Sequence, residues 1–92
     1  MIFDWDDEKA RTNLVKHGVS FVEAQTVFDD PLARIEDDPD HSVEERREII
    51  FGDAVSGRLL LVSFVQRDET IRIISARTAE NEERRRYEEE IH

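Results

Sequence analysis

The feature of the sequence that most constrains the fold is a nearly unbroken apolar run, LLLVSFV, at positions 59–65. The run is too short to cross a membrane, which takes about 20 apolar residues. Its length, and the turn signals on either side of it, favour a β-strand. Because almost no polar side chain interrupts the run, we expect the strand at residues 58–66 to lie at the centre of a sheet.

Other strands are expected on both sides of this one. Residues 32–35, 47–52 and 71–77 show the period-two or short apolar patterns of strands, and residues 1–5 suit a short opening strand. The connections between residues 47 and 77 are too short for a crossover. The sequence therefore predicts a three-strand antiparallel meander in the second half of the chain.

Two helices are predicted before the meander. Asp6 is placed to cap the first helix, and Gly18 is placed to end it in a left-handed conformation. Ser20 and Glu23 form an S-x-x-E capping box at the start of the second helix, and the Asp-Pro pair at 30–31 stops it.

A third helix is predicted from a cap at Thr78 to about residue 91. Its apolar face is thin, with only Ala79, Tyr87 and Ile91, so the helix either lies over a sheet edge or docks on another chain. The predicted fold class is α+β, with two N-terminal helices, a mainly antiparallel sheet of about four to five strands and a C-terminal helix. A chain of 92 residues is expected to form a single domain, residues 1–92.

The composition favours a cytoplasmic protein. The chain has no cysteine, so it has neither a disulfide framework nor a thiolate zinc site. Its N-terminus, MIFDWDDEK, carries acids where a signal peptide carries lysines, and no apolar stretch is long enough to span a membrane. We therefore expect a cytoplasmic location and no membrane contact.

The charge is distributed unevenly along the chain. The net charge of −10 disfavours binding of nucleic acid by the surface as a whole. Residues 1–45 carry 4 basic and 13 acidic side chains, whereas residues 46–92 carry 9 basic side chains, all arginine, and 10 acids. Arginine suits bidentate phosphate recognition, so these arginines must converge if the chain binds nucleic acid. The acidic half suits a basic protein partner.

The histidines differ in their surroundings. His41 stands in a polar loop beside both acids and arginines, which suits a role in proton transfer. His17, at a helix end, is more often a packed side chain, and His92 is the last residue. The acidic loop DDPDHSVEE lacks both the glycine of a calcium-binding loop and the H-E-x-x-H order of a zinc site. We expect no metal and no cofactor.

Four segments resemble, in order and over nearly the whole chain, the BrnT toxin family: FDWDDEKARTNLVKHGVSFVEAQTVFDDP, DHSVEERREIIFG, GRLLLV and IRIISARTAENEERRRYEE. The resemblance implies a compact fold similar to RelE-type ribonuclease toxins and RNA cleavage that inhibits translation. It also implies a cognate antitoxin, BrnA, whose ribbon-helix-helix domain binds operator DNA, so that the toxin reaches DNA only through its antitoxin.

The resemblance also implies a set of site residues. Carried over by position, the catalytic candidates are His41, Glu45, Arg67, Arg72, Arg77 and Tyr87, and Lys16 is a candidate for RNA binding. Arg46 and Arg58 are added to the RNA-binding candidates, Arg58 because it lies, like Arg67 and Arg77, at a strand end where a sheet can hold a guanidinium group against a ligand. The hypothesis is a metal-independent endoribonuclease in which the RNA 2′-hydroxyl attacks the neighbouring phosphate. His41 or Glu45 would transfer protons, the arginines would hold the phosphate, and Tyr87 would position or stack a base.

Two questions stay open at this point. Strict alternation places Arg77 on one face of its strand and Arg72 on the other, so a site that uses both requires a β-bulge or the strand end. The alternative function is a non-catalytic protein-interaction module of the same fold, which the acidic first half and the thin apolar face of the last helix would equally suit.

Overall fold

A computed structural model describes residues 1–39 and 45–91. In these residues the chain forms five strands and three α-helices, with a 3₁₀ turn after the second helix. The elements are β1 (Ile2–Asp4), α1 (Asp7–His17), α2 (Phe21–Gln25), the 3₁₀ turn (Thr26–Asp29), β2 (Arg34–Asp37), β3 (Glu48–Asp53), β4 (Leu59–Arg67), β5 (Thr70–Thr78) and α3 (Asn81–Ile91).

The strands form one mixed sheet in the order β1-β5-β4-β3-β2. Strands β2 to β5 pair antiparallel with their sequence neighbours, which confirms the predicted meander, and β4 lies at the centre as the apolar run indicates. Strand β1 pairs parallel with β5 through residues 2–4. The α+β class, with two helices before the meander and one after it, is confirmed.

The pairing of β4 with β5 contains a β-bulge at Ile74. Ser63 pairs with Ser75, but the next residue of β4, Phe64, pairs with Ile73, so Ile74 is an extra residue in β5. An extra residue reverses the alternation of side chains beyond it. The strict alternation expected from the sequence is therefore wrong here: Arg72 and Arg77 lie on the same face.

The main core lies between the sheet and the first two helices. It combines apolar residues that follow Gly18 along α2 with the inward side chains of β3, β4 and β5. Its fully buried large members include Phe21, Leu60, Phe64, Ile71 and Ile73. Burial of such side chains contributes roughly 1.5–3 kcal/mol each relative to exposure.

The predicted caps of the first two helices are present. The Asp6 carboxylate accepts a hydrogen bond from the Glu8 N–H, and Gly18 ends α1 with φ of 68°, a left-handed conformation that glycine adopts without strain. Ser20 Oγ accepts from the Glu23 N–H. The Glu23 carboxylate, however, binds Arg58 and Ser56. The capping box is therefore half formed, and its acid connects α2 to the sheet.

Strand β2 begins two residues later than expected. Asp30 Oδ1 accepts the Leu32 N–H, and the Asp30 carbonyl accepts the Ala33 N–H, so residues 30–33 form a turn. The turn lies against Gly52 of β3, where a Cβ would come within 2.8 Å of the Ala33 Cβ. Gly52 is thus required for the close approach of the two segments.

Helix α3 packs on the other face of the sheet. Tyr87, 3% exposed, contacts Phe51 and Leu59 there. The expected cap at Thr78 is wrong, because Thr78 is the last residue of β5 and pairs with Leu60. The helix begins later, and the Glu83 carboxylate accepts the Glu80 N–H at its start.

Asn13 of α1 completes the edge of β5. Strand β1 covers only residues 70–72 of that edge. Beyond it, the Asn13 amide accepts the Ala76 N–H at 3.0 Å and donates to the carbonyls of Ala76 and Val19 at 2.8 and 2.9 Å. The side chain is buried and takes the place of a neighbouring strand.

Within residues 1–39 and 45–91, no helix has the length and hydrophobicity that a membrane-spanning helix requires.

Candidate active site

Most of the arginines that the sequence predicts as site residues lie on one surface of the sheet. We call it the arginine face; it lies opposite α1 and α2 and carries Ser63, Val65 and Arg67 of β4 with Arg72, Ser75 and Arg77 of β5. These residues share a face because Ser63 pairs with Ser75, Val65 with Arg72, and Leu61 with Arg77. The bulge at Ile74 is what brings both arginines of β5 to this side.

At one end of the arginine face, Glu45 lies among arginines. Its carboxylate accepts two hydrogen bonds from Arg67, at 2.6 Å from Nε and 2.5 Å from Nη2. These bonds hold the pKa of Glu45 below its ordinary value, and the positive charges of Arg72 and Arg47 lower it further. We call these four residues the Glu45 cluster.

Asp4 of β1 borders the Glu45 cluster. The parallel pairing of β1 with β5 places Asp4 directly beside Arg72, and an Asp4 Oδ1 to Arg72 Nη1 distance of 3.4 Å makes an ion pair. The pair is partly exposed, so solvent screens it. The cluster and Asp4 together contain three guanidinium groups and two carboxylates.

Arg77 lies on the same face but apart from the Glu45 cluster. The β4 partners of Arg77 and Arg72, Leu61 and Val65, are four residues apart, which separates the two arginines by about 13 Å along the sheet. Arg77 forms a bidentate pair with Glu83 of α3, with both N–O distances 2.8 Å. The Arg77 guanidinium lowers the pKa of Glu83 to about 2. Arg72 and Arg77 therefore lie in different parts of the arginine face.

A pocket of about 270 Å³ opens between Arg77 and the middle of the arginine face. We call it the Asp38 pocket; its lining includes His17, Asp38, Leu61, Ser63, Ser75 and Arg77. Asp38 is only 7% exposed, and its Oδ2 accepts the Ser63 hydroxyl at 2.8 Å. His17 is half-buried at the end of α1, as its helix-end position suggested.

Both predicted RNA-binding arginines pair with acids that are not members of the Glu45 cluster. Arg58 donates to both carboxylate oxygens of Glu23 and to the Gly18 carbonyl, so it joins the start of β4 to α1 and α2. Arg46 donates twice to Asp37 Oδ1, at 2.9 and 2.7 Å, in an exposed pair.

The remaining candidates lie in different surroundings. Lys16 is exposed on α1 and borders a shallow depression beside β5. The Tyr87 hydroxyl lies 3.3 Å from both Asp30 Oδ2 and the Leu32 carbonyl. Burial, with the charge of Asp30, raises the pKa of Tyr87 to about 12. His41 lies outside the described residues.

Sequence reasoning missed three residues that border the site: Asp4, Asp38 and Arg47. Arg47 could have been found, because it begins a predicted strand two residues after Glu45. Asp4 meets Arg72 only through the parallel pairing of β1 with β5. Asp38, just after β2, meets Ser63 of β4, which lies 25 positions away in the sequence. No local pattern indicates either contact.

A solved structure of another protein shares this fold. A crystal structure of the Brucella abortus ribonuclease toxin BrnT superposes with a TM-score of 0.67 at 22% identity, over 88% of this chain and 100% of that one. At this identity the likeness establishes a shared fold. No curated protein sequence matches the chain significantly.

The chain is thus a small α+β domain of this fold. The family model described as the ribonuclease toxin, BrnT, of type II toxin–antitoxin systems matches residues 5–83. The chain therefore belongs to the BrnT family and is a toxin of a type II toxin–antitoxin system. Membership in such a family implies an antitoxin as its partner.

Proposed function

We propose that this toxin is a metal-independent endoribonuclease that inhibits translation and that its reaction takes place at the Glu45 cluster. The observation that carries the proposal is the β-bulge at Ile74, which puts Arg72 beside Arg67 and Glu45 instead of on the opposite face. The family description, which names a ribonuclease, supports the same activity.

Arg67 of the Glu45 cluster is suited to exchange its partner, the Glu45 carboxylate, for a phosphate group. The Nε and Nη2 donors of Arg67 that hold the Glu45 carboxylate have the geometry that a phosphate needs. A phosphate that takes these donors releases the carboxylate beside it. Without Arg67, the pKa of Glu45 returns toward its ordinary value, and the carboxylate becomes a better proton acceptor.

The proposed reaction is an internal transesterification. The RNA 2′-oxygen forms a bond to its own 3′-phosphorus as its proton passes to Glu45 or His41, and the bond from phosphorus to the 5′-oxygen breaks as that oxygen takes up a proton. The products are a 2′,3′-cyclic phosphate and a 5′-hydroxyl. Arg67 and Arg72 stabilise the charge on the phosphoryl oxygens, and the tethered nucleophile needs no separate activation by a metal.

The direct test is cleavage of a purified RNA in the presence of a chelator. The proposal predicts cyclic phosphate ends, and it predicts that His41→Ala retains the fold and lowers the rate by a factor of about 10² to 10⁴. Full activity of this variant would remove His41 from the mechanism. Loss of all cleavage by the wild-type protein in chelator would contradict the metal-independent reaction.

The rival function is a non-catalytic interaction module, and one observation favours it. Arg67, Arg72 and Arg77 each pair with a carboxylate, so the arginine face has no guanidinium cluster free of acids among the described residues. Growth arrest on expression, relieved by substitution of these arginines, would support the enzyme. Tight binding to a protein partner without turnover of RNA would support the module.

The proposed partner is a BrnA-type ribbon-helix-helix antitoxin. The chain has a net charge of −10, which opposes direct contact with DNA and favours a basic protein. Operator DNA would therefore be reached only through the antitoxin. Co-expression with the product of the adjacent gene, followed by an operator-binding assay with and without it, tests this arrangement.

A further inference from the structure

We propose that the outer edge of β2 pairs with the same edge of a second copy of this chain, so that two sheets join edge to edge. Strand β2 ends the sheet order, and in the part of the chain that the structure describes no strand covers its outer side. An exposed strand edge is a template for pairing with another strand. The backbone and the charges of this edge both fit a second β2.

The pairing of β2 with β3 shows which backbone groups of β2 point outward. The Asp38 N–H donates to the Arg47 carbonyl at 3.1 Å, in register with the ladder of β2 and β3. Antiparallel strands alternate between hydrogen-bonded and non-hydrogen-bonded pairs. Glu36, two residues before Asp38, therefore bonds to β3 as well, whereas the N–H and C=O groups of Ile35 and Asp37 point away from β3.

The charges of β2 favour one register between two antiparallel copies. With a two-fold axis between the two Ile35 residues, their outward N–H and C=O groups bond to each other, and Arg34 of each copy lies opposite the partner's Glu36. This second pair is of the non-hydrogen-bonded kind, in which side chains directly opposite lie close together. The neighbouring registers place Glu36 opposite Glu36 or Arg34 opposite Arg34, so like charges repel there.

Arg34 and Glu36 are both accessible to a partner. They share the face of the sheet on which α3 packs, because Arg34 pairs with Phe51, whose ring contacts Tyr87 of α3. Both residues are exposed. Arg34 Nη1 lies 2.7 Å from Glu90 Oε2, and a guanidinium has five N–H donors, so Arg34 can bind Glu90 and the partner's Glu36 together.

Ile35 supplies an apolar contact at the axis. It is 55% exposed although it is a large apolar residue, and its side chain lies on the opposite face of β2 from Arg34. The two Ile35 side chains lie opposite each other in the dimer, and removal of their surface from water favours association. Because β2 has only 4 residues, we expect a weak dimer, with a dissociation constant of about 10–500 µM.

The proposed dimer leaves the arginine face exposed. Strand β3 lies between β2 and the two strands that carry the arginine face, β4 and β5. A second copy on the outer edge of β2 therefore contacts neither of those strands along the sheet. The inference concerns association alone and does not depend on the proposed ribonuclease activity.

The test is sedimentation equilibrium of the full chain and of two charge reversals, Arg34→Glu and Glu36→Arg. The wild-type protein at about 0.5 mM should contain both monomer and dimer. Each reversal places like charges opposite one another twice, so each variant alone should dimerise at least about tenfold more weakly. An equimolar mixture of the two variants should form a heterodimer with nearly the wild-type affinity, because every glutamate at these positions then faces an arginine.

Glu8→Arg is the matched control, since it makes the same change of charge on α1, which packs against β5 on the far side of the sheet from β2. It should dimerise as the wild type does. A wild-type protein that is entirely monomeric at about 0.5 mM would overturn the inference and leave the edge to a strand of a different protein. Undiminished dimers of either reversal, or a mixture of the two that forms no heterodimer, would equally overturn it.

Discussion

Arg72 and Arg77 lie on the same face of β5 although they are five residues apart, because Ile74 is an extra residue in the strand. Without the bulge, Arg72 would point into the core under α1 and α2. The bulge therefore determines which side of the sheet carries the phosphate-binding candidates. Both arginines remain partly exposed there, each with a carboxylate partner.

Asn13→Ala should destabilise the protein by about 2–4 kcal/mol, because it leaves the N–H and carbonyl of Ala76 without their partner at a buried edge. Urea unfolding would measure the change. Thr12→Ala, at the exposed neighbouring position on α1, is the matched control and should stay within about 0.5 kcal/mol of the wild type. Equal effects of the two substitutions would show that Asn13 does not support the edge.

Glu83→Gln should lower the free energy of unfolding at pH 7 by about 1–2 kcal/mol, a value reduced for the exposure of its partner Arg77. The pKa of Glu83 falls from 4.5 to about 2 on folding, so its stabilisation is fully present above pH 4.5 and is lost as the pH falls to about 2. The difference between variant and wild type should therefore disappear over this window.

The control for this measurement is Glu82→Gln, an exposed acid in the same turn of α3. Its unfolding free energy should follow the wild type at each pH. A Glu83→Gln difference that stays constant from pH 7 to pH 2 would show that the pair with Arg77 does not stabilise the fold.

Tyr87→Phe should retain RNA cleavage and reduce stability by about 0.5–1.5 kcal/mol, because it keeps the buried ring and removes the hydroxyl beside Asp30. Folding raises the pKa of Tyr87 from 10.0 to about 12, so the unfolded state loses this proton first and stability falls between pH 10 and pH 12.

Tyr87 is the only tyrosine in the sequence, so its ionisation can be followed by ultraviolet absorbance. Titration at pH 10 in the folded protein would contradict the buried position. Loss of cleavage in a stably folded Tyr87→Phe protein would instead assign the hydroxyl to catalysis, as the family resemblance suggested.

The parts of the fold that the sequence predicts are those encoded by local signals. The cap at Asp6, the left-handed Gly18 and the apolar run of β4 each act within a few residues, and each is present in the structure. Strand β2 and helix α3 begin later than the sequence predicts, because the side chains of Asp30 and Glu83 bind backbone groups nearby. These competing turns leave only weak patterns.

The candidate site depends on contacts between distant parts of the chain, which explains why the sequence predicts it incompletely. The sequence predicts both Arg67 and Glu45 as site residues, and they bind one another across 22 positions. Arg58 has the same strand-end pattern as Arg67, yet its partner is Glu23 of α2. Nothing in the sequence around either arginine distinguishes the two, since the difference arises from the register of the sheet.

The most direct test of RNA cleavage at the arginine face compares Arg72→Ala with Arg58→Ala in chelator. We predict that Arg72→Ala folds normally and cleaves purified RNA about 10²-fold more slowly, because it removes one positive group from the phosphate site. Arg58→Ala should melt at a lower temperature, because it loses its bonds to Glu23 and Gly18, and should cleave at nearly the wild-type rate. Wild-type cleavage by a folded Arg72→Ala protein would contradict the account.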